Sequence, residues 1–295
     1  IKDMNQGLSI VIPALNEEQN IPKLLEELNR FFENQNFEII VIDDFSDKKL
    51  EDVLDTKLYS NLVIARNTFR LGQSESILNG IKIANFNTIG LIDGDGQNPP
   101  FELKKLYDRY LKENNNEIAV IGKRLNRKDS ISKKIPSNIA NLLLRFLTKT
   151  KSKDLGCSLK IFSKHLISDI DFQGDFHRFL TPLFEVRNIK IIEVGTQHNK
   201  RENGKSNYGI KRVFPVLIDG ILFWLTKGDT KPSKYVLGNI TLLFLFISII
   251  SIGWAIYQKT VLNAFIHRNP LFIIGVIFFI AALQFLSVII LKNKN

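Results

Sequence analysis

Two stretches, residues 236–257 and 270–291, each run for 22 residues without an Asp, Glu, Lys or Arg. At a rise of about 1.5 Å per residue, either stretch is long enough as a helix to cross a hydrocarbon core about 30 Å thick. A helix buried in a soluble core seldom runs so far without a charge, so the pattern predicts two transmembrane helices. Lys227, Lys231 and Lys234 precede the first stretch and Lys292 and Lys294 follow the second, while the connection 258–269 carries only Lys259 and Arg268. Positive charge favours the cytoplasmic side, which puts both termini in the cytoplasm and a small loop outside. Two spans joined by so short a loop form a hairpin anchor, with too few helices for a transport path.

The formal charge of +10 is unevenly spread. Residues 1–119 hold 13 basic and 20 acidic side chains, residues 120–212 hold 20 and 8, and the remainder holds 7 and 2. The basic block leads into the membrane segment, which favours contact with membrane lipids that carry anionic head groups or with a phosphorylated lipid. No basic-aromatic motif or reader module points to nucleic acid. Cys157 is the only cysteine, so no internal disulfide forms, in keeping with a reducing compartment. The apolar run 8–15 is short and broken by Pro13, unlike a secretory signal peptide.

Residues 8–122 alternate strand and helix signals. Apolar runs at 8–12, 38–42, 62–65, 88–92 and 118–122 read as buried strands, with helical patterns between them at about 17–33, 47–56, 73–85 and 100–113. Asn16 with Gln19 three residues later reads as the N-cap of the first helix. This order predicts an α/β fold, a mainly parallel sheet with helices on both faces, whose ligands bind beyond the carboxyl ends of the strands. Residues 131–149 carry a broad apolar stripe of Ile135, Ile139, Leu142, Leu143, Phe146 and Leu147. Residues 210–226 repeat the pattern with Val213, Phe214, Leu217, Ile218, Ile221, Leu222, Trp224 and Leu225, and read as a helix lying in the membrane interface. The expected division is a cytoplasmic domain over 1–209, a juxtamembrane region over 210–235 and the hairpin over 236–295. A homo-oligomer formed through the spans is compatible with this layout.

Asp93-Gly94-Asp95-Gly96 follows the apolar run at 88–92. Alternation along an extended chain sends Asp93 and Asp95 to one side, and two hard oxygen ligands suit a Mg²⁺ or Mn²⁺ ion that also takes substrate phosphates. Gly94 and Gly96 leave room for a ligand near the backbone, and Pro99-Pro100 can start a helix. By itself such a pattern also fits a polar turn. Asp43-Asp44, after the second strand, falls on the same expected rim.

Seven segments in order resemble the inverting family 2 glycosyltransferases of the GT-A (Rossmann-like) fold. They are Ile12-Pro13-Ala14-Leu15-Asn16-Glu17-Glu18, Val41-Ile42-Asp43-Asp44-Phe45-Ser46, Asp93 to Pro100, Gly122-Lys123-Arg124, Asp154-Leu155-Gly156-Cys157, Asp175-Phe176-His177-Arg178-Phe179 and His198-x-x-Arg201-x-x-Gly204-x-Ser206-x-Tyr208. More narrowly, the chain resembles the polyprenyl-phosphate glycosyltransferases, the group of dolichyl-phosphate mannose synthase and the bacterial undecaprenyl-phosphate glycosyltransferases. The likeness covers about residues 8–212. It implies a nucleotide-sugar donor (UDP- or GDP-linked), a polyprenyl phosphate acceptor, and a lipid-linked monosaccharide made at an inner membrane of bacterial type. Pro13, Leu15, Asn16, Glu17 and Gly94 would then contact the donor, and Asp43 or Asp44 would hydrogen-bond its base. Asp93, Asp95 and Gln97 match the metal-binding triplet, with Asp95 central to catalysis. Arg124 and Arg201 match arginines on donor or acceptor phosphates, and Asp154 an aspartate near the acceptor, read equally as a base or as a positioning group. Ser206 and Asn207 fall in a matched segment expected near the acceptor phosphate and His177 in one read as structural or substrate-orienting, while Arg127 and Lys205 sit in a basic context that suits either phosphate contact or a solvated face.

Several positions depart from the family pattern. Gly94 and Gly96 replace Ala and Leu, Lys160 stands where Arg is frequent, and Gln73 and Ser76 replace Lys and Ala. Asn207 takes the place of a phosphate-binding lysine, for which Lys205 is a substitute. A processive polysaccharide synthase of the same fold would show a Gln-x-x-Arg-Trp motif and more spans, and neither Trp224 nor Trp254 has that context. A non-catalytic nucleotide-sugar-binding scaffold would not need the intact Asp93, Asp95, Gln97, Arg124 and Arg201.

Overall fold

The computed structural model describes residues 7–55, 58–125, 150–152, 154–168, 176–199, 223, 234–262, 265 and 269–294. Strands β1 (Leu8–Ala14), β2 (Phe37–Asp43), β3 (Leu62–Arg66), β4 (Thr88–Leu91) and β5 (Ile118–Arg124) fall on the five predicted apolar runs. Two further strands, β6 (Lys160–Ser163) and β7 (Lys190–Thr196), complete a seven-stranded sheet of order β3-β2-β1-β4-β6-β5-β7. β6 runs antiparallel to both β4 and β5, and every other pairing is parallel.

The central strands are apolar throughout because both faces of the sheet are covered. Along β1, Leu8, Ile10 and Ile12 join one core and Val11 the other, as strand alternation requires. On the first face lie α1 (Ile21–Phe32) and α4 (Pro100–Glu113), which bury Leu24, Leu25, Leu28, Leu103 and Leu106. On the second lie α3 (Gln73–Ile83) and α5 (Leu180–Val186), which bury Ile77, Leu78, Ile81, Leu183 and Phe184. A single turn of helix, α2 (Leu50–Val53), follows β2. α3 packs tightly on the sheet: a Cβ on Gly80 would lie 2.4 Å from Val11 Cγ1.

The predicted helix start is corrected by four residues. α1 begins after Asn20, and Asn16 has a left-handed φ of 56°. The Asn16 amide leaves the helix for the loop after β2: it donates to Asp47 Oδ2 at 3.0 Å and accepts from the Asp47 backbone N–H at 2.8 Å. The capping pattern is present, but a partner 31 residues away claims the side chain.

Residues fall into two compact units, Ile1–Thr230 and Lys231–Asn295. In the second, α6 (Lys234–Leu262) and α7 (Pro270–Lys294) pack on each other, with Phe244 edge-on to Phe278 and Phe285. Within them Leu237–Val261 and Pro270–Ile290 are long and apolar enough to cross a membrane. Only 22% and 11% of these windows are buried by the chain itself, where a soluble core helix would be covered. The stripe at 131–149 lies outside the described residues. So does 210–226 except for Phe223, a residue not on the predicted stripe, which stacks on Phe179 at 5.4 Å within the core.

Candidate active site

Because β1 to β5 and β7 all run the same way, their carboxyl ends meet on one rim of the sheet. That rim gathers Asp43 from β2, Arg66 from β3, the loop 92–99 after β4, Arg124 from β5 and the segment 197–199 after β7. The antiparallel β6 presents its beginning there instead, which brings in Asp154, Ser158 and Lys160.

β4 ends at Leu91, so Asp93 and Asp95 stand on a turn beyond the strand rather than on the strand itself. Asp95 Oδ1 accepts the Gln97 backbone N–H at 3.1 Å, which closes this turn. The Gln97 carbonyl accepts the Asn199 N–H at 2.8 Å, and the Gln97 side-chain amide donates to the Asn199 carbonyl at 3.4 Å. The loop is therefore stapled to the segment that leads towards Arg201. Asp95, Gly96 and Asn98 line a cleft whose other wall includes Gln19 and Lys23. Asp93 accepts the Gln73 amide at 2.8 Å from the start of α3. Burial, and then the Asp95 carboxylate, push the Asp93 pKa from 3.8 up to about 6, against the pull of Ser158, Lys160 and Arg124.

Asp43 and Asp44 are both buried and both engaged within the protein. Asp43 forms an ion pair with Arg66 and accepts the Ser46 N–H at 2.9 Å. Asp44 accepts the backbone N–H groups of Leu71 and Gly72 at 2.8 and 2.9 Å and the Asn67 amide at 2.9 Å. Asn16 joins the same cluster through Ser46, whose hydroxyl accepts the Asn16 N–H at 2.9 Å. Glu17, also buried, accepts the Asn20 amide at 2.6 Å. Pro13 is the penultimate residue of β1, and Leu15 follows its end.

Arg124 and Asp154 form a two-pronged pair. Arg124 Nε donates to Asp154 Oδ2 at 2.7 Å and its Nη2 donates to Oδ1 at 2.6 Å. The backbone N–H groups of Arg124 and Gly156 add bonds of 3.1 and 3.2 Å to the same carboxylate. Fork-to-fork pairing of this kind is strong and fixes both groups in orientation. Lys160 is buried close by and donates to the Cys157 carbonyl. Burial pulls the Lys160 ammonium below the usual lysine range, while Cys157, Asp93 and Asp154 act in the opposite direction. His177 lies on a 3₁₀ turn, Phe176–Phe179, where its Nδ1 is 2.9 Å from the Ser74 hydroxyl. Arg127, Arg201, Lys205, Ser206 and Asn207 lie outside the described residues.

Three site residues were not assigned roles by sequence reasoning: Gln73, Ser158 and Lys160. Gln73 and Lys160 do carry a signal, since both depart from the family pattern, but nothing in their spacing relates them to Asp93.

The model of the family described as "Glycosyl transferase family 2" matches residues 9–171, more than half of the chain. The chain belongs to glycosyl transferase family 2. This family-2 transferase is 29% identical over 298 residues to a dodecaprenyl-phosphate galacturonate synthase from Rhizobium johnstonii, covering 97% of the chain and 86% of the relative. It is 31% identical over 218 residues to an undecaprenyl-phosphate 4-deoxy-4-formamido-L-arabinose transferase from Photorhabdus laumondii, covering 72% of the chain and 66% of the relative. Among solved structures it shares its fold with glucosyl-3-phosphoglycerate synthase from Mycobacterium tuberculosis, crystallised with Mn²⁺, UDP and glucosyl-3-phosphoglycerate. The TM-score is 0.56 at 16% identity, covering 77% of this chain and 81% of that one.

The transferase's own residues fit a divalent ion. Among the described residues, no group of three or more His, Cys, Asp or Glu side chains converges as a self-sufficient cage. Two carboxylates on an open rim suit an ion that completes its shell with water and substrate phosphate. Burial is the first cause of the raised Asp93 pKa and the neighbouring Asp95 carboxylate the second, and an added cation would offset that second contribution.

Proposed function

We propose that the protein transfers a sugar from a UDP- or GDP-linked donor to a polyprenyl phosphate, with inversion, at the cytoplasmic face of a membrane. The observation that carries this reading is one rim holding the Asp93–Asp95 pair beside the Arg124–Asp154 pair, in a chain that also has two membrane-length helices. The two relatives, both named as polyprenyl-phosphate sugar transferases, point the same way.

In this reading a phosphate oxygen of the lipid attacks the sugar C1 as the bond from C1 to the nucleoside diphosphate breaks. Asp93 and Asp95, with the Gln97 side-chain oxygen, would hold Mg²⁺ or Mn²⁺. Bound there, the ion stabilises negative charge on the departing diphosphate. The chain supplies the cations Arg124 and Lys160 near the same carboxylates. The lipid phosphate is already anionic at neutral pH and needs no strong base. Asp154, whose two oxygens accept from Arg124, is read as the group that orients that guanidinium towards phosphate. Pro13, Leu15 and Glu17 would line the donor site, and His177 with 201–207 the acceptor side.

The test uses the full-length protein in detergent with undecaprenyl phosphate, Mg²⁺ or Mn²⁺, and a panel of labelled UDP- and GDP-sugars. Label should pass into the lipid extract with one or a few donors, and should be lost with EDTA and in Asp95→Ala. Retained nucleotide binding with no transfer from any donor would overturn the enzyme reading in favour of a binding scaffold. Because the two relatives are named for different sugars, the donor that labels the lipid also identifies the substrate.

A further inference from the structure

The Asp44 carboxylate is 4% exposed and accepts three hydrogen bonds from a single loop, those of Asn67, Leu71 and Gly72. Asn67 extends the clamp, since its amide also donates to the Ser76 hydroxyl at 3.0 Å, and that hydroxyl donates to the Gly72 carbonyl at 3.0 Å. Gly72 turns the chain at a φ of 91°, a conformation that disfavours a side chain, and the next residue opens α3. That residue is Gln73, whose amide reaches Asp93 Oδ1 at 2.8 Å. An unbroken path of hydrogen bonds and backbone thus runs from the end of β2 to the first carboxylate after β4.

We propose that Asp44 is a positioning residue which, through the clamped loop 67–72, holds the Gln73 amide against Asp93 and so fixes that carboxylate for a divalent ion. The inference rests on the reading of Asp93 as a metal-holding group. An amide is a neutral donor: it orients one oxygen and leaves the other for the ion, without adding a positive charge that would repel it. In this role Asp44 clamps the loop through both oxygens, Oδ1 accepting from Asn67 and Leu71 and Oδ2 from Gly72.

The test is Mn²⁺ binding by the full-length protein in detergent without nucleotide, followed by the electron paramagnetic resonance signal of the free ion. Gln73→Ala and Asp44→Asn should each weaken binding roughly 10-fold, the lower end of what is lost when a group orienting a metal ligand is removed. The double variant should be no weaker than the weaker single one, since both act on one path. A Gln73→Ala protein that binds Mn²⁺ like wild type overturns the proposal, as does an Asp44→Asn protein with unchanged Mn²⁺ binding. If Asp44→Asn fails to fold, Gln73→Ala decides alone. A wild-type protein that binds no Mn²⁺ sinks the metal reading itself, whereas wild-type binding that survives Gln73→Ala sinks only the inference.

Discussion

At Asp93, burial and a neighbouring carboxylate oppose ionisation, and the consequence has a definite sign. The pKa rises from 3.8 to about 6 on folding. Between those values the folded chain keeps a proton that the unfolded chain has released, so stability falls as pH rises through the window, and the full penalty applies above it. Asp93→Asn should therefore stabilise the metal-free protein at about pH 7.5, by on the order of 1–3 kcal/mol, and change little near pH 3.5. Thermal melts in EDTA at the two pH values measure this, and an equal shift at both would contradict it. Single residues were unevenly legible in the sequence. The Asp93–Asp95 pair stood out because its chemistry is local. The Gln73 contact did not, because the fold alone brings together residues 20 apart. Asn16 misled for the same reason: its partner is distant, and a nearby capping pattern looked sufficient.

Among the elements, the parallel strands were readable because burial on both faces leaves an uninterrupted apolar run, as in Ile39-Ile40-Val41-Ile42. β6 escaped notice because it is four residues long and opens on a buried lysine, which breaks the apolar pattern. β7 mixes exposed Lys190 and partly covered Ile191 and Val194 at the sheet edge, so its alternation is weak. Helix α3 makes a sharper prediction. A methyl group on Gly80 would sit 2.4 Å from Val11 Cγ1 and 3.2 Å from Ile42 Cγ1, in the middle of the layer that supports the rim. Gly80→Ala should cost about 1–3 kcal/mol of stability by overpacking, less the small gain in helix propensity. Urea unfolding would measure the change, and a variant as stable as wild type would mean that α3 moves away from β1 freely.

At the scale of the whole molecule, the charge pattern predicts a hairpin with its connecting loop outside and both termini inside. Cys157 makes the test clean, because it is buried and burial pushes its thiol up, so the reactive thiolate is scarce. In the otherwise wild-type chain, a cysteine placed at Asn269 should react with a membrane-impermeant maleimide on intact cells. One placed at Lys294 should react only after permeabilisation, and the opposite pattern would reverse the orientation. The two long apolar helices and the sheet were the most legible features of the chain, since composition and periodicity report them directly. The sheet's one reversed strand has a consequence for the site. Among the described strands, β4 and β5 do not touch: β6 lies between them and bonds to both. Without that strand, β1 to β4 and the β5–β7 pair would share no sheet hydrogen bonds. The relative placement of the loop after β4, with Asp93, and the end of β5, with Arg124, is therefore held within the sheet by the hydrogen bonds of this one short strand.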